Sequence, residues 1–343
     1  MNRVSDIVGI INGWAPSVFA WEKDNIGLII GDRSREVKKI LVALEVTREI
    51  VHEAIEMKAD TLVVHHPIIF HPIRQIHTDS EQGSMISSLL RNDINVIAAH
   101  TNADAARDGL NYHLCHRLGL INVRSLGTAE EKVSILQLYI KSGGDALSKL
   151  NALLSANSIE TSFSFKMDHD TTSVSMEVPG WKAENLKTKL SSHMQDLLLG
   201  MQQHRLDQSP EGFGLGAYGD LVPSGSSTSF LNSVKKKLYL EHLKTNHHEE
   251  REIKRVAVCG GAGSSLLPAA VKQGADMFIT SDVPYHTFFE SMEKIIIVDA
   301  GHYETEAVFI DACIGQLSEG LEKIKSSIEI ISTKKNTNPI RFM

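Results

Sequence analysis

The sequence predicts an α/β fold: a bipartite sheet-and-helix domain, residues 1–125 and 212–343, interrupted by a small ferredoxin-like α+β domain over residues 126–211. Three observations predict it. Short apolar runs alternate with helix-period stretches at both ends of the chain, the grammar of parallel strands joined by helices. Between them the pattern changes to strict alternation, as in Ser-Phe-Ser-Phe, which marks antiparallel strands with one buried face. Several of the outer apolar runs end in a histidine.

The first element, Val4 to Gly13, reads as an amphipathic helix. Strand Lys39–Leu44, helix Arg48–Lys58 and strand Thr61–Val64 follow, then helix Gly83–Arg91, strand Asn95–Ala99 and a helix from Asp108 to Leu118 closed by Gly119. In the middle piece the expected order is strand Val133–Ile140, helix Asp145–Ala156, strands Thr161–Lys166 and Thr172–Val178, and helix Ala183–Leu190. His169, between Asp168 and Asp170, reads as a polar hairpin tip. The βα pattern returns with strand Lys254–Cys259, a glycine-rich turn at residues 260–265, helix Leu267–Gln273 and strand Met277–Thr280. A helix around Phe288–Met292, strand Lys294–Val298 and one long helix from about Thr305 to Leu321 close the pattern. The glycine-rich turn allows two readings: backbone amides offered to a phosphate, or a tight strand-to-helix turn.

Composition narrows the function classes. At 42% hydrophobic and 22% charged residues the chain is an ordinary soluble globular protein. A net charge of −7 gives no basic footprint for nucleic acid, and Lys235-Lys236-Lys237 reads as a solvated helix face. No apolar stretch is long enough to span a bilayer, and the first 21 residues, with Arg3 and Asp6, lack the layout of a signal peptide. Cys115, Cys259 and Cys313 form neither a disulfide framework nor a metal spacing. The expected compartment is the cytoplasm.

The chemistry concentrates at strand ends. Apolar run 61–64 delivers His65-His66-Pro67, while His100/Asp104 and His302/Glu306 repeat a histidine followed four residues later by a carboxylate. Strand C-termini gather around a crevice in open α/β sheets, and residues i and i+4 of a helix share a face, so each pair can reach one ion. Adjacent histidines on an extended segment face opposite ways, which suits two metals better than one. A lone histidine at a strand end is usually a satisfied polar residue; three such clusters together point to a metal site. Imidazole and carboxylate without thiolate suit Zn, Mn, Fe(II) or Co. A two-metal arrangement supports metal-assisted hydrolysis. His247-His248-Glu249-Glu250 lacks flanking strands in this reading and is taken as a solvated linker.

Five segments together resemble the GTP cyclohydrolase 1 type 2 homologue family, the Ngg-interacting-factor-three-like dinuclear metal proteins. They are Trp21-Glu22-Lys23-Asp24-Asn25-Ile26-Gly27-Leu28, Val64-His65-His66-Pro67, His100-Thr101-Asn102-Ala103-Asp104, Gly214-Leu215-Gly216-Ala217-Tyr218-Gly219 and Gly301-His302-Tyr303-Glu304-Thr305-Glu306. The resemblance spans nearly the whole chain. It implies metal ligands His65, His66, Asp104, His302 and Glu306, with His100 as a further ligand or an outer partner. It also implies two divalent metal ions per chain, a toroidal homohexamer with sites facing an internal cavity, and an inserted domain like residues 126–211. Glu45 stands where the family commonly has Asp, and Ser281 where it has Gly. Both bear on the cavity wall, where His286 is either a pocket residue or a satisfied core histidine.

The expected function is a metal-dependent hydrolase using a metal-activated water on a small molecule, a nucleotide or phosphoester, with opening of the GTP purine ring implied by the resemblance. A different class of reading is a non-catalytic metal-binding adaptor or regulatory protein. An open coordination position would separate the two.

Overall fold

Continuous apolar strands need cover on both faces, and the strands of the larger part of this chain receive it. The computed structural model describes residues 2–129, 131–143, 145–156, 159, 163–166 and 170–342; the expected hairpin tip at His169 lies outside them. The chain divides into two units, Met1–Thr128 with Gly212–Met343, and Ala129–Glu211. In chain order the strands are β1 Gly27–Ile30, β2 Lys39–Ala43, β3 Thr61–Val64, β4 Asn95–Ala98, β5 Ile121–Ser125, β6 Val133–Lys141, β7 Phe163–Lys166, β8 Thr171–Pro179 and β9 Leu198–Arg205. After them come β10 Ala217–Ser226, β11 Lys244–Thr245, β12 Glu252–Ala262, β13 Met277–Ser281, β14 Ile296–Asp299 and β15 Glu329–Ser332.

The larger unit holds two sheets. The first has the order β1-β4-β3-β2-β15, parallel except for β1 at the edge. Register sets Val42, Val63 and Ile97 side by side, facing Ile7, Leu114 and Phe309 on helices Val4–Trp14, Leu110–Leu118 and Val308–Lys323. Their chain neighbours Leu41, Leu62 and Val96 point the other way, under Ile50 and Leu89 of helices Arg48–Glu56 and Glu81–Arg91. The second sheet, β11-β14-β13-β12-β10-β5, has a parallel centre in β12, β13 and β14. Val258, Ile279 and Val298 join the same core as Phe309, while Ala257, Phe278 and Ile297 pack beneath helices Leu267–Lys272 and Tyr285–Ser291. The layering is therefore helix, sheet, helix, sheet, helix. Each fully buried Leu, Val or Phe contributes roughly 1.5–3 kcal/mol of burial to this stack.

Caps set the helix starts. Thr47 accepts from the Ile50 amide, Ser80 from Gly83 and Ser226 from Ser229, each satisfying an amide that the first turn leaves open. Gly119, at φ +83, ends helix Leu110–Leu118 in the left-handed conformation.

The smaller unit runs β6, helix Ala146–Ser155, β7, β8, helix Gly180–His193 and β9, with antiparallel sheet order β7-β8-β6-β9. Leu136, Leu138 and Ile140 alternate along β6 into a core with Val174, Met176, Leu150 and Leu186. Strand β9 is absent from the sequence expectation. It reads Leu-Leu-Gly-Met-Gln-Gln-His-Arg at a sheet edge, where one polar face and Gly200 blur the alternation.

Two further expectations change. The single helix from Thr305 to Leu321 is two, His302–Glu306 and Val308–Lys323, broken at Ala307 with no Gly or Pro to mark it. Residues 244–251 do have flanking strands, β11 pairing with β14 and β12 beginning at Glu252. Among the described residues no helix is long and apolar enough to cross a membrane.

Candidate metal centre

Because β3 and β4 are parallel neighbours, the residues after Val64 and Ala98 leave the first sheet along one edge. The Leu44 carbonyl accepts from the amides of both His65 and His66, at 3.1 and 2.9 Å, which fixes the backbone of the pair. From the second sheet, β14 ends at Asp299, Gly301 turns the chain at φ +80, and the short helix begins at His302. Its i,i+4 spacing brings His302 Nε2 to 3.1 Å from Glu306 Oε1. The centre thus lies between the strand ends of two sheets, not in the crevice of a single one.

Each of the four histidines is oriented through Nδ1. His65 donates to the Ala99 carbonyl at 2.9 Å; His66 faces Glu45 Oε1 at 3.4 Å, His100 faces Asp24 Oδ1 at 2.9 Å and His302 faces Asp282 Oδ2 at 2.5 Å. An outer oxygen on one ring nitrogen fixes the tautomer and turns the other nitrogen toward a ligand, the usual arrangement of metal-bound imidazole. Inward, His65 Nε2 lies 3.6 Å from Asp104 Oδ1 and 3.8 Å from Glu306 Oε1, and His66 Nε2 lies 3.2 Å from Glu306 Oε2. The rings of His65, His66 and His100 sit 4.8–5.3 Å apart.

The electrostatics follow from burial and crowding. Desolvation pushes Asp104 up to about 7. Burial also works to raise Glu306, but the imidazoles of His302, His65 and His66 facing it outweigh that and hold it well below the usual carboxylate range. For His66, burial opposes the charge, yet Glu306 and Glu45 carry it up to about 10. Glu306, working against burial and joined by Asp282, raises His302 to about 9. Asp24 is depressed to about 2, since the bonds from His100 and Thr101 exceed its desolvation.

Two groups of ligand atoms each lie within 4.8 Å of one another: His65, His66 and His100, and His66, His302 and Glu306. His66 belongs to both. Three buried polar atoms here, His65 Nε2, Asp104 Oδ1 and Glu306 Oε2, have no hydrogen-bond partner. His65 already gives its Nδ1 hydrogen to a carbonyl, so in the neutral ring Nε2 is a bare lone pair facing two carboxylates. Imidazole nitrogens and carboxylate oxygens converging in a buried site, with three of these atoms unpartnered, fit a cation, and the nitrogen and oxygen donor set fits a borderline divalent one. All five expected ligands, with His100, converge at this one locus.

Sequence reasoning missed the roles of Asp24, Asp282 and Glu45 as the oxygens that aim the rings. His286 is exposed on helix Tyr285–Ser291, so it is not a core histidine. The glycines of the 260–265 turn have protein partners. The Gly260 amide donates to Asn111 Oδ1, Gly261 to Thr305 Oγ1 and Gly263 to Thr280 Oγ1, so the three glycine amides are occupied and none of them is offered to a phosphate. Glycine is needed for close approach: a Cβ on Gly261, at φ +64, would stand 2.2 Å from Glu306 Oε1.

The whole chain has relatives. A GTP cyclohydrolase 1 type 2 homolog of Halalkalibacterium halodurans is 28% identical over 98% of both chains, and one from Listeria monocytogenes 29% identical over the same shares. Among solved structures, a Bacillus cereus protein related to NIF3 aligns with a TM-score of 0.88 at 27% identity, covering 100% of this chain and 99% of that one. A Staphylococcus aureus protein aligns at 0.79 and 26%, covering 100% and 99%. The sequence model of the Duf34/NIF3 (NGG1p interacting factor 3) family matches residues 2–339, a span that includes every residue of the histidine and carboxylate centre. The chain therefore belongs to the Duf34/NIF3 family.

Proposed function

We propose that this chain is a divalent-metal-dependent hydrolase in which His65, His66, Asp104, His302 and Glu306 hold two metal ions, Zn, Mn, Fe or Co. The observation that carries this reading is the convergence of three partnerless buried ligand atoms from both sheets. Bound there, the metals would lower the pKa of a water and polarise a substrate oxygen. Glu306 and His65 are closed off from solvent, while the side chains of His66 and His302 are 27% and 37% exposed, so substrate approaches from the side of those two rings. A cavity of about 400 Å³ lined by Glu45, His66, Ile68, Gln82 and Met85 borders His66 and accommodates a small molecule. His100, its ring held by Asp24, stands with His65 and His66 as a further ligand or an outer partner of the centre.

The substrate class we favour is a nucleotide or phosphoester. The relatives' printed name suggests GTP ring opening as one member of that class. We further propose a cytoplasmic homohexamer, and a ferredoxin-like description for the smaller unit from its β-α-β-β-α-β order. The rival reading, a non-catalytic metal-binding adaptor or regulatory protein, is favoured by the near-complete burial of Glu306, 4% exposed. Elemental analysis beside a hydrolysis screen of GTP, other nucleotides and phosphodiesters, before and after chelation, tests both. About two metals per chain with chelator-sensitive turnover supports the hydrolase. Metal without turnover supports the adaptor, and no metal after reconstitution refutes the centre.

A further inference from the structure

The segment that follows β15 has neither helix nor strand, yet it is tied down repeatedly: the Thr333 amide donates to the Val42 carbonyl, and four further ties land on carboxylates. Thr333 Oγ1 and the Lys334 amide both donate to Glu53, a 3%-exposed carboxylate on helix Arg48–Glu56. Thr337 Oγ1 donates to Glu45 Oε2, and Asn338 Nδ2 donates to Glu304 Oε1 at 2.8 Å. Glu45 follows β2, and its other oxygen faces His66 Nδ1. Both ends of that carboxylate are therefore engaged, one by the strap and one by the ring. Glu304, in turn, sits between His302 and Glu306 in the short helix.

His66 is the one residue common to both candidate ligand clusters. Its ring angle decides whether Nε2 reaches that shared position, and the ring angle is set by Glu45. A glutamate has three side-chain torsions, so a contact on one carboxylate oxygen does not by itself fix the other; the Thr337 hydroxyl supplies the second constraint.

We infer that Thr337 is a positioning residue of the metal centre, acting through Glu45 on His66, and that residues 333–338 form a strap whose attachment sets the affinity of the shared ligand. This rests on the metal reading above. It goes beyond that reading by assigning a role to a segment that contributes no ligand and is remote in sequence from every histidine of the centre.

The test uses the full-length protein stripped of metal and titrated with Co2+, read by its visible d–d absorption and by equilibrium dialysis. Thr337→Val removes the hydroxyl at nearly constant volume; Thr337→Ser keeps it. The expected result is Co2+ affinity weakened roughly tenfold in Thr337→Val, at the low end of the range for outer partners of metal ligands, with a changed d–d band. Thr337→Ser should restore both, and a thermal melt reports whether each variant is folded. If Thr337→Val is unfolded, Glu45→Gln, which keeps side-chain length, is titrated instead and should show the same loss and altered band. Wild-type affinity and spectrum in a folded Thr337→Val or Glu45→Gln overturn the strap while leaving the centre standing. Failure of the wild-type protein to bind Co2+ overturns the centre and the strap together.

Discussion

Replacing Gly261 by alanine probes a close approach of the backbone to Glu306. Two costs add. The residue sits at φ +64, where an L side chain costs about 1–2 kcal/mol. The new Cβ would also stand 2.2 Å from Glu306 Oε1 and 3.3 Å from His302 Nε2. Glu306 ends a flexible side chain, but it is buried and hemmed by three imidazoles, so relief moves a ligand; overpacking of this kind costs about 1–3 kcal/mol. The total is about 3 kcal/mol, which at about 3 °C per kcal/mol lowers the melting midpoint of the larger unit by roughly 9 °C. Gly274, at φ +69 with nothing within 4 Å of where a Cβ would stand, isolates the backbone cost, and Gly274→Ala should lower the midpoint by about 4 °C. Calorimetry of both variants, with metal content by elemental analysis, separates the two contributions. Gly261→Ala should also lose bound metal, while Gly274→Ala should not. Equal midpoints with full metal content in both would refute the argument that Gly261 exists to let the chain pass Glu306.

Glu306→Gln preserves volume but removes the charge that three imidazoles face, so metal content should fall below half of wild type while circular dichroism is unchanged. Unchanged metal content would remove Glu306 from the ligand set. His65→Ala should strip metal as well, and dialysis of that variant against Zn2+ checks it. Excising residues 129–211 should leave metal content intact, because both ligand clusters found among the described residues lie in the larger unit and the chain of that unit already meets at the junction, the Gly127 amide on the Leu215 carbonyl at 2.9 Å; loss of metal from a folded excision variant counts against it. Glu250 accepts from Ser227 Oγ, Thr228 Oγ1 and the Thr228 amide, which hold it at about 2 against an ordinary 4.5. A lowered folded-state value means its contribution to helix Ser227–Lys237 is present above pH 4.5 and is lost as pH falls through about 2. Carbon-13 titration of its carboxyl with a midpoint near 4.5 would contradict this capping role.

What the sequence made legible is what local rules govern. Thr61–Val64 and Asn95–Ala98 read as buried strands because four consecutive residues are covered on both faces. The spacing of His302 and Glu306 is enough to predict one helical face, and the two side chains meet. What stayed hidden depends on long-range partners. Asp24 lies 76 residues from His100 and Asp282 lies 20 from His302, so nothing local marks either as the group that aims a ring. The break at Ala307 has no breaker residue, and β9 hides behind edge polarity. Glycines at 260–263 look the same whether they leave amides free or give them to Asn111, Thr305 and Thr280; only the partners' positions decide.

The larger unit is assembled from two stretches of chain with the smaller unit synthesised between them, and this imposes a timetable. Asp104 and His302 are separated by about 200 residues, so at 5–20 residues per second roughly 10–40 s pass between their translation. Throughout that interval a growing chain carries His65, His66 and His100 but not His302 or Glu306, so one ligand trio precedes the other. An ion captured early would be held without the carboxylate that crosses from the second sheet. The order of synthesis thus makes the second stretch the step that completes the cluster, because His302 and Glu306 join the earlier histidines only after the second sheet has been made.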